Sequence, residues 1–356
     1  MENNVSQLDI KKPLTYQDPN LGTLNEGYNE EQNINLHYVS RKERKKEYVV
    51  GGVSDQEQSN NWKGWLYLAP VLILMSVFLI YPLINTIAIS FMKDYNYATG
   101  SFNGFTFDNY LIILGLKEIS AGVYETDVIN YALPNTFLIV FVTVPLSIII
   151  ALLISVLLNN LKWLQKVYQV IFFLPYVTNT IAVGMVFSVL FDKTGVINYI
   201  FGSNITWIYG ASRWTAMIPL CIYIVWGSLP FKILILLSGL QNVDKQYYQA
   251  AKIDSASSWK ILWRITVPSL SPQILYLMVT SFIGAFKEYT AVVGLFNGPS
   301  TTGTGGTPEM LTMVFYIYKQ LNSQPGRAAA CAVLLFLIIL CFTFLQLYLS
   351  KRKARN

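Results

Sequence analysis

Residues 247–272, YYQAAKIDSASSWKILWRITVPSLSP, decide how the whole chain reads. They lie between two long apolar runs, yet carry Lys252, Asp254, Lys260 and Arg264. That is too much charge for a segment crossing a bilayer. It is also too patterned for a plain loop. Gln249, Ala250, Ala251 and Lys252 are good helix formers. Asp254 and Ser255 compete for backbone hydrogen bonds, so they predict a break. Ser257 to Ile265 resumes a helix, with Trp259, Leu262 and Trp263 at i, i+3 and i+4 on one apolar stripe. Pro268 and Pro272 end that helix and start the next run. The expectation is helix, sharp turn, helix. Ala250, Ala251 and Ala256 form a small-residue face that another surface can approach closely.

Composition explains the apolar flanks. Of 356 residues, 53% are hydrophobic and only 13% charged, where a soluble domain carries about 25% charged. The deficit indicates an integral membrane protein. Cys221, Cys331 and Cys341 all fall within apolar runs, which argues against a disulfide scaffold or a cysteine metal site. The one histidine, His37, sits in a polar N-terminal stretch and reads as solvated. The first apolar run begins near Leu66, so no cleavable signal peptide is expected.

Apolar segments of about 20 residues span a bilayer as helices. They occur at 66–91, 135–158, 168–190, 215–239, 271–293 and 328–349. Pro82, Pro145, Pro175 and Pro230 lie in or near them. Membrane helices tolerate proline where neighbours or water satisfy the freed carbonyls, which favours a packed bundle. The basic residues sort by side. Arg41 to Lys46, Lys63, Lys162, Lys166, Lys245, Lys252, Lys260, Arg264 and Lys351 to Arg355 share one face if the topology alternates. The other face has fewer cations and holds Asp94, Asp108, Glu118, Glu125 and Asp127. The positive-inside rule then makes both termini and the 244–268 loop cytoplasmic, in a plasma membrane. This distribution of the net +6 charge speaks for membrane orientation and against nucleic acid. Residues 1–60 read as a largely disordered tail. Their basic run 41–47 either touches anionic lipid or only enforces orientation. Residues 61–356 form the transmembrane domain.

The 247–268 pattern resembles the cytoplasmic loop of ABC importer permeases. The family's Glu-Ala-Ala, Asp-Gly-Ala and Ile-x-x-Pro read here as Gln249-Ala250-Ala251, Asp254-Ser255-Ala256 and Ile265-Thr266-Val267-Pro268. SGLQNV at 238–243, LSPQ at 270–273, FFLPYVTNTIAVGMVF at 172–187, NGP at 297–299 and YIY at 316–318 extend the likeness over 62–350. It is greatest to the carbohydrate-uptake members, of the maltose, raffinose and multiple-sugar type. Two departures stand out. The family's glutamate is Gln249, and its glycine is Ser255. A serine forced into a left-handed turn costs about 1–2 kcal/mol, unless the turn is built differently.

The resemblance implies an all-α, six-span permease fold with a cytoplasmic coupling helix. Gln249, Ala250, Ala251, Asp254, Ser255, Ala256 and Pro268 would dock to an ATPase subunit. The partners implied are a second permease, two ATPase subunits and an extracytoplasmic solute-binding protein. ATP would be used by those partners, with no cofactor or metal bound by this chain. No GxxxxGK[ST] loop is present; the GTGG at 303–306 lacks the lysine. No acid–base or nucleophile constellation suggests an enzyme.

Ionisable residues inside a membrane default to function. Lys232 falls in the fourth span, and Lys287 and Glu288 in the fifth. Trp226, Ser228, Phe231 and Lys232 cluster mid-span, while Ser281, Ala285 and Glu288 fall on one helical face. In maltose-type relatives these two helices build the sugar site. Aromatic faces and a few polar groups suit a sugar. The alternative is a Lys232–Glu288 pair that only neutralises two buried charges. Tyr176 and Asn179 are further candidates, or simply interhelical contacts. Rival functions are import of another polar solute such as glycerol 3-phosphate, and a stand-alone secondary transporter. A phosphate would want two or more cations in the path, and a secondary transporter would usually show internal repeats.

Overall fold

A computed structural model describes residues 61–160, 167, 170–171, 176–208, 210–296 and 310–355. The tail 1–60 with His37 and its basic run, Lys162, Lys166, Pro175, the NGP at 297–299 and the GTGG at 303–306 lie outside the described residues. The helices in chain order begin with α1 (Asn61–Met75), a π-helical turn (Ser76–Ile80), α2 (Tyr81–Ser90) and α3 (Asp108–Ile113). A two-stranded antiparallel hairpin follows, β1 (Glu118–Ser120) and β2 (Val123–Tyr124). This hairpin and an isolated antiparallel bridge between Met92 and Phe105 are small additions to an otherwise helical fold among the described residues. Then come α4 (Leu133–Asn160), α5 (Thr180–Leu190), α6 (Val196–Phe201) and α7 (Arg213–Gln241). The remainder is α8 (Lys245–Ile253), α9 (Ser258–Ile261), α10 (Val267–Ser269), α11 (Ser271–Phe286), α12 (Thr290–Phe296), α13 (Met313–Gln320) and α14 (Pro325–Arg355). The chain divides into two units at Pro70, and every element from α2 onward belongs to the second.

Four helical stretches are long and apolar enough to cross a membrane: Gly64–Ser90, Val128–Asn160, Arg213–Gln241 and Pro325–Ser350. A fifth is a pair, Ser258–Ser269 and Ser271–Phe286, bent by 70°. The expected third span, 168–190, is described mainly by α5. The expected fifth span, 271–293, needs correction. Its helix stops at Phe286, and the chain restarts as α12 at Thr290. The Glu288 carboxylate accepts the Ala291 amide at 2.8 Å, so a side-chain cap begins a new helix there.

The centre of the bundle is α4 against α7. The buried face of α4 carries Ser147, Ala151 and Ser155, spaced four apart. Small side chains let helix backbones approach where lipid supplies no hydrophobic drive. Ser155 donates both to Ala151 O on its own helix and to Ile233 O of α7, at 2.6 and 3.2 Å. Thr136 and Thr143 donate to the carbonyls four residues back. Each hydroxyl is thereby satisfied without water. On another side, Phe137 and Phe141 of α4 meet Phe282 and Phe286 of α11 and Phe342 of α14, with ring centroids 5.4–6.0 Å apart. Most of these pairs are edge-to-face, the favoured arrangement for aromatic quadrupoles.

Candidate functional site

Four helices and one helix break line a cavity of about 450 Å³. Thr143 and Val144 of α4 line it, with Thr180 and Val183 of α5. The α7 wall holds Tyr223, Trp226, Gly227, Ser228, Phe231 and Lys232. The α11 wall holds Thr280, Ser281, Gly284 and Ala285, and Glu288 follows at the break. Tyr176 closes the lining, stacked on Phe231 at 6.0 Å and 17°. Of the nine residues predicted to contact substrate, eight therefore meet in one place. The ninth, Asn179, does not line it. Its side chain accepts the Ile181 and Ala182 amides and caps α5, so the helix start occupies its oxygen.

Lys232 is 5% exposed. Its Nζ donates to Ser147 Oγ at 2.6 Å and to Ser228 Oγ at 2.9 Å. Each serine passes its own proton to a carbonyl, Val144 O and Val225 O, and so turns a lone pair to the ammonium. Glu288 is not on one helical face with Ser281 and Ala285, because it lies beyond the end of α11. Its Oε1 takes the Ala291 amide and, at 3.4 Å, the Thr290 hydroxyl. Its backbone carbonyl accepts from Thr312 Oγ1 at 3.1 Å. The expected Lys232–Glu288 ion pair is absent: the three ion pairs within 4.0 Å among the described residues are Lys117–Asp108, Lys319–Asp127 and Arg327–Glu125. Each of the two groups has been given other partners. Lys287 ends α11 and is exposed.

Several lining residues went unnoticed in the sequence. Thr143, Thr180, Tyr223 and Thr280 line the cavity, and Ser147 reaches it through Lys232. Tyr223 donates its hydroxyl to Thr180 O and so ties α7 to α5. A threonine in an apolar run carries no mark that separates cavity lining from a self-satisfied core position. The break at 287–289 is held close to α5 by glycine. A Cβ on Gly184 would lie 2.6 Å from the Gly294 carbonyl carbon, so α5 and α12 cross at backbone contact. No group of three metal-ligating side chains occurs among the described residues.

The predicted coupling segment forms as helix, turn, helix. Asp244 caps α8 through the Gln246 amide. At the far end Asp254 is the C-cap, and Ser255 has φ 54°. The Ser255 amide bonds Lys252 O at 3.1 Å and the Ala256 amide bonds Ala251 O at 2.9 Å. This pair of bonds is the Schellman motif. Ser255 therefore occupies the left-handed position itself. Ser257 then caps α9, and a π-helical turn, Leu262–Thr266, leads to Pro268 in α10. One expectation changes. Ala251 is 7% exposed and faces the chain's own interior, while Gln249 and Ala250 are exposed and Ala256 is half-buried. Along the 259/262/263 stripe Leu262 is buried, whereas Trp259 and Trp263 are exposed and packed edge to face at 5.6 Å.

Residues 143–355 match the family model described as binding-protein-dependent transport system inner membrane component. The chain is 30% identical over 301 residues to the lactose transport system permease protein LacF of Rhizobium radiobacter, covering 82% of this chain and 94% of that one. It is 29% identical over 298 residues to the arabinooligosaccharides transport system permease protein AraP of Bacillus subtilis (strain 168), covering 80% and 88%. Its fold matches a crystal structure of a bacterial ABC transporter involved in the import of the acidic polysaccharide alginate, with a TM-score of 0.65 at 19% identity, over 83% of this chain and 98% of that one. A multi-pass helical fold, a helical knob between α7 and α11, and a family match over more than half its length make this chain a member of the binding-protein-dependent transport system inner membrane components, the permeases of ABC importers.

Proposed function

We propose that the chain forms half of the translocation pore of an ATP-driven importer of a carbohydrate, most simply an oligosaccharide. One observation carries this reading. A single cavity joins aromatic faces (Tyr176, Trp226, Phe231) to an ammonium, a carboxylate and several hydroxyls. Aromatic faces stack on sugar rings, and a few convergent polar groups fix hydroxyls. The lactose and arabinooligosaccharide relatives support the same substrate class. A single cavity cation, Lys232, is a poor match for a phosphate ester.

The remaining parts follow from the knob. A second permease completes the pore, two cytosolic ATPase subunits bind α8 and its turn, and a solute-binding protein delivers cargo from outside. The chain spends no ATP itself. Both termini and the α8 segment face the cytoplasm of a bacterial cell. A rigid knob clasped by a closing ATPase can transmit a rigid-body motion to α7 and α11. The test is reconstitution. Expressed with its sister permease, ATPases and binding protein, the chain should support sugar uptake that stops without ATP. Uptake by this chain alone, with no ATP requirement, would overturn the reading.

A further inference from the structure

We propose that the cavity sorts its cargo by charge. Lys232 and Glu288 form a separated donor–acceptor pair that admits uncharged, hydroxyl-rich glycans and turns away those bearing uronate or amine groups. This inference rests on the glycan reading above and specifies its substrate class.

The two groups are fixed apart. Lys232 is clamped by serines of α4 and α7, and Glu288 by the first turn of α12 and by Thr312. They share one cavity without coming within 4.0 Å. Had the pair served only to neutralise buried charge, direct contact would have been the cheapest arrangement, because an ion in a membrane protein is costly without a partner. The fold instead spends neutral acceptors on the ammonium. An ammonium has three donors and no acceptor, and two of its protons reach the serines. An ionised carboxylate only accepts, through two oxygens, and the Ala291 amide and the Thr290 hydroxyl both go to Oε1. One proton on one wall and one oxygen on another are thus left for cargo.

A sugar hydroxyl suits both, since it donates and accepts. It can accept from Lys232 and donate to Glu288. A uronate gains at Lys232 but meets the Glu288 carboxylate in the same cavity. An amino sugar gains at Glu288 but meets Lys232. Like charges repel more in a partly buried site than in bulk water. The pair of walls has no net charge, so neutral cargo alone satisfies both.

The experiment measures equilibrium retention of oligosaccharides on the complete complex in nanodiscs, without binding protein. Three mixtures of small oligosaccharides are compared: neutral malto-, xylo-, arabino- and galacto-oligosaccharides, oligogalacturonates, and chitosan oligosaccharides. Wild type should prefer the neutral mixture by about tenfold, the size expected of one charged hydrogen bond. Glu288→Gln should raise oligogalacturonate retention relative to neutral sugars, and Lys232→Gln should raise chitosan retention. Opposite shifts from the two variants distinguish charge selection from structural damage, which would lower all three mixtures alike. Either variant decides the matter if the other fails to assemble. Retention of sugars with no charge preference, or equal shifts for every mixture, overturns this inference alone. A wild-type complex that retains none of the mixtures overturns the glycan reading with it.

Discussion

Ser255 holds a left-handed turn without the conformational freedom of glycine. At φ 54° it sits where a Cβ crowds the following carbonyl. The Schellman bonds from Ser255 and Ala256 hold it there. Ser255→Gly should therefore raise thermal stability, by about 1 kcal/mol or less once the greater entropy of unfolded glycine is subtracted. Ser255→Val should lower it, because a β-branched residue resists a positive φ. Equal losses from both variants would show that the turn is not the source of strain. Glu125 supplies a second test at this scale. It pairs with Arg327 at 3.9 Å, yet burial, and next the Asp127 charge, hold its carboxyl above the ordinary value of 4.5. The folded chain thus keeps this proton to higher pH than the unfolded chain. The contribution to stability is present below the ordinary value and is lost as pH rises through the folded one. Melting temperatures of wild type and Glu125→Gln should accordingly diverge across that rise, with the wild type losing ground. A constant offset would contradict it. Lys232 and Glu288 were legible in the sequence because charge inside an apolar run stands out. Ser147 was not, since Ser155 and Thr143, a few residues away on the same helix, are hydroxyl residues in the same apolar run and bond only backbone carbonyls.

Among the elements, the long helices follow from run length and apolar content, and α4, α7 and α14 fall close to the expected spans. The end of α11 could not be read so. Residues 287–289 are Lys-Glu-Tyr, with no proline or glycine to announce a break. The break is set by a local cap from Glu288 and by Thr312, 24 residues later in the chain. Only the second of these is invisible to any local pattern, and it ties the Glu288 backbone at the break to the segment before α13. The crossing of α5 and α12 is equally a tertiary fact. Gly184 meets the Gly294 backbone, with neighbours too close for any Cβ. Gly184→Ala should cost about 1–3 kcal/mol, the usual range for overpacking. Its effect should be seen as a lower melting temperature together with weaker sugar retention, because α12 carries the amide that holds Glu288. Gly227→Ala is the control for the melting temperature alone, since Gly227 itself lines the cavity. Its Cβ would meet nothing within 4 Å, and alanine is the better helix former. If Gly184→Ala melts no lower than Gly227→Ala, the crossing has slack that the backbone distances deny.

The molecule as a whole leaves two kinds of apolar surface open, and they call for different cover. Side chains along Val71–Ile87 and on the outer faces of α4 and α14 are exposed in runs that lipid can coat. The α8–α10 segment is different, because its charged residues keep it out of the hydrocarbon. There Tyr247, Trp259 and Trp263 are more than half exposed, and Ile253 is 84% exposed. Large aromatic side chains at the centre of a patch are what protein interfaces bury most productively. A partner that covers them will stabilise the chain by mass action. The permease in nanodiscs should therefore melt at a higher temperature when the ATPase subunits are bound, and lose that increment when Ile253 is changed to Asp. Ile253 is the informative site because it is surface already, so the substitution leaves the chain's own packing intact. Ala251→Trp, by contrast, would force a large ring into the chain's interior and unfold the knob whatever its role. Ala250→Trp, on the exposed side, adds bulk without that penalty and should also release the ATPases. If Ile253→Asp and Ala250→Trp both retain the ATPases and the full thermal increment, the partner grips some other part of the chain, and α8 with its left-handed turn serves only to join α7 to α11.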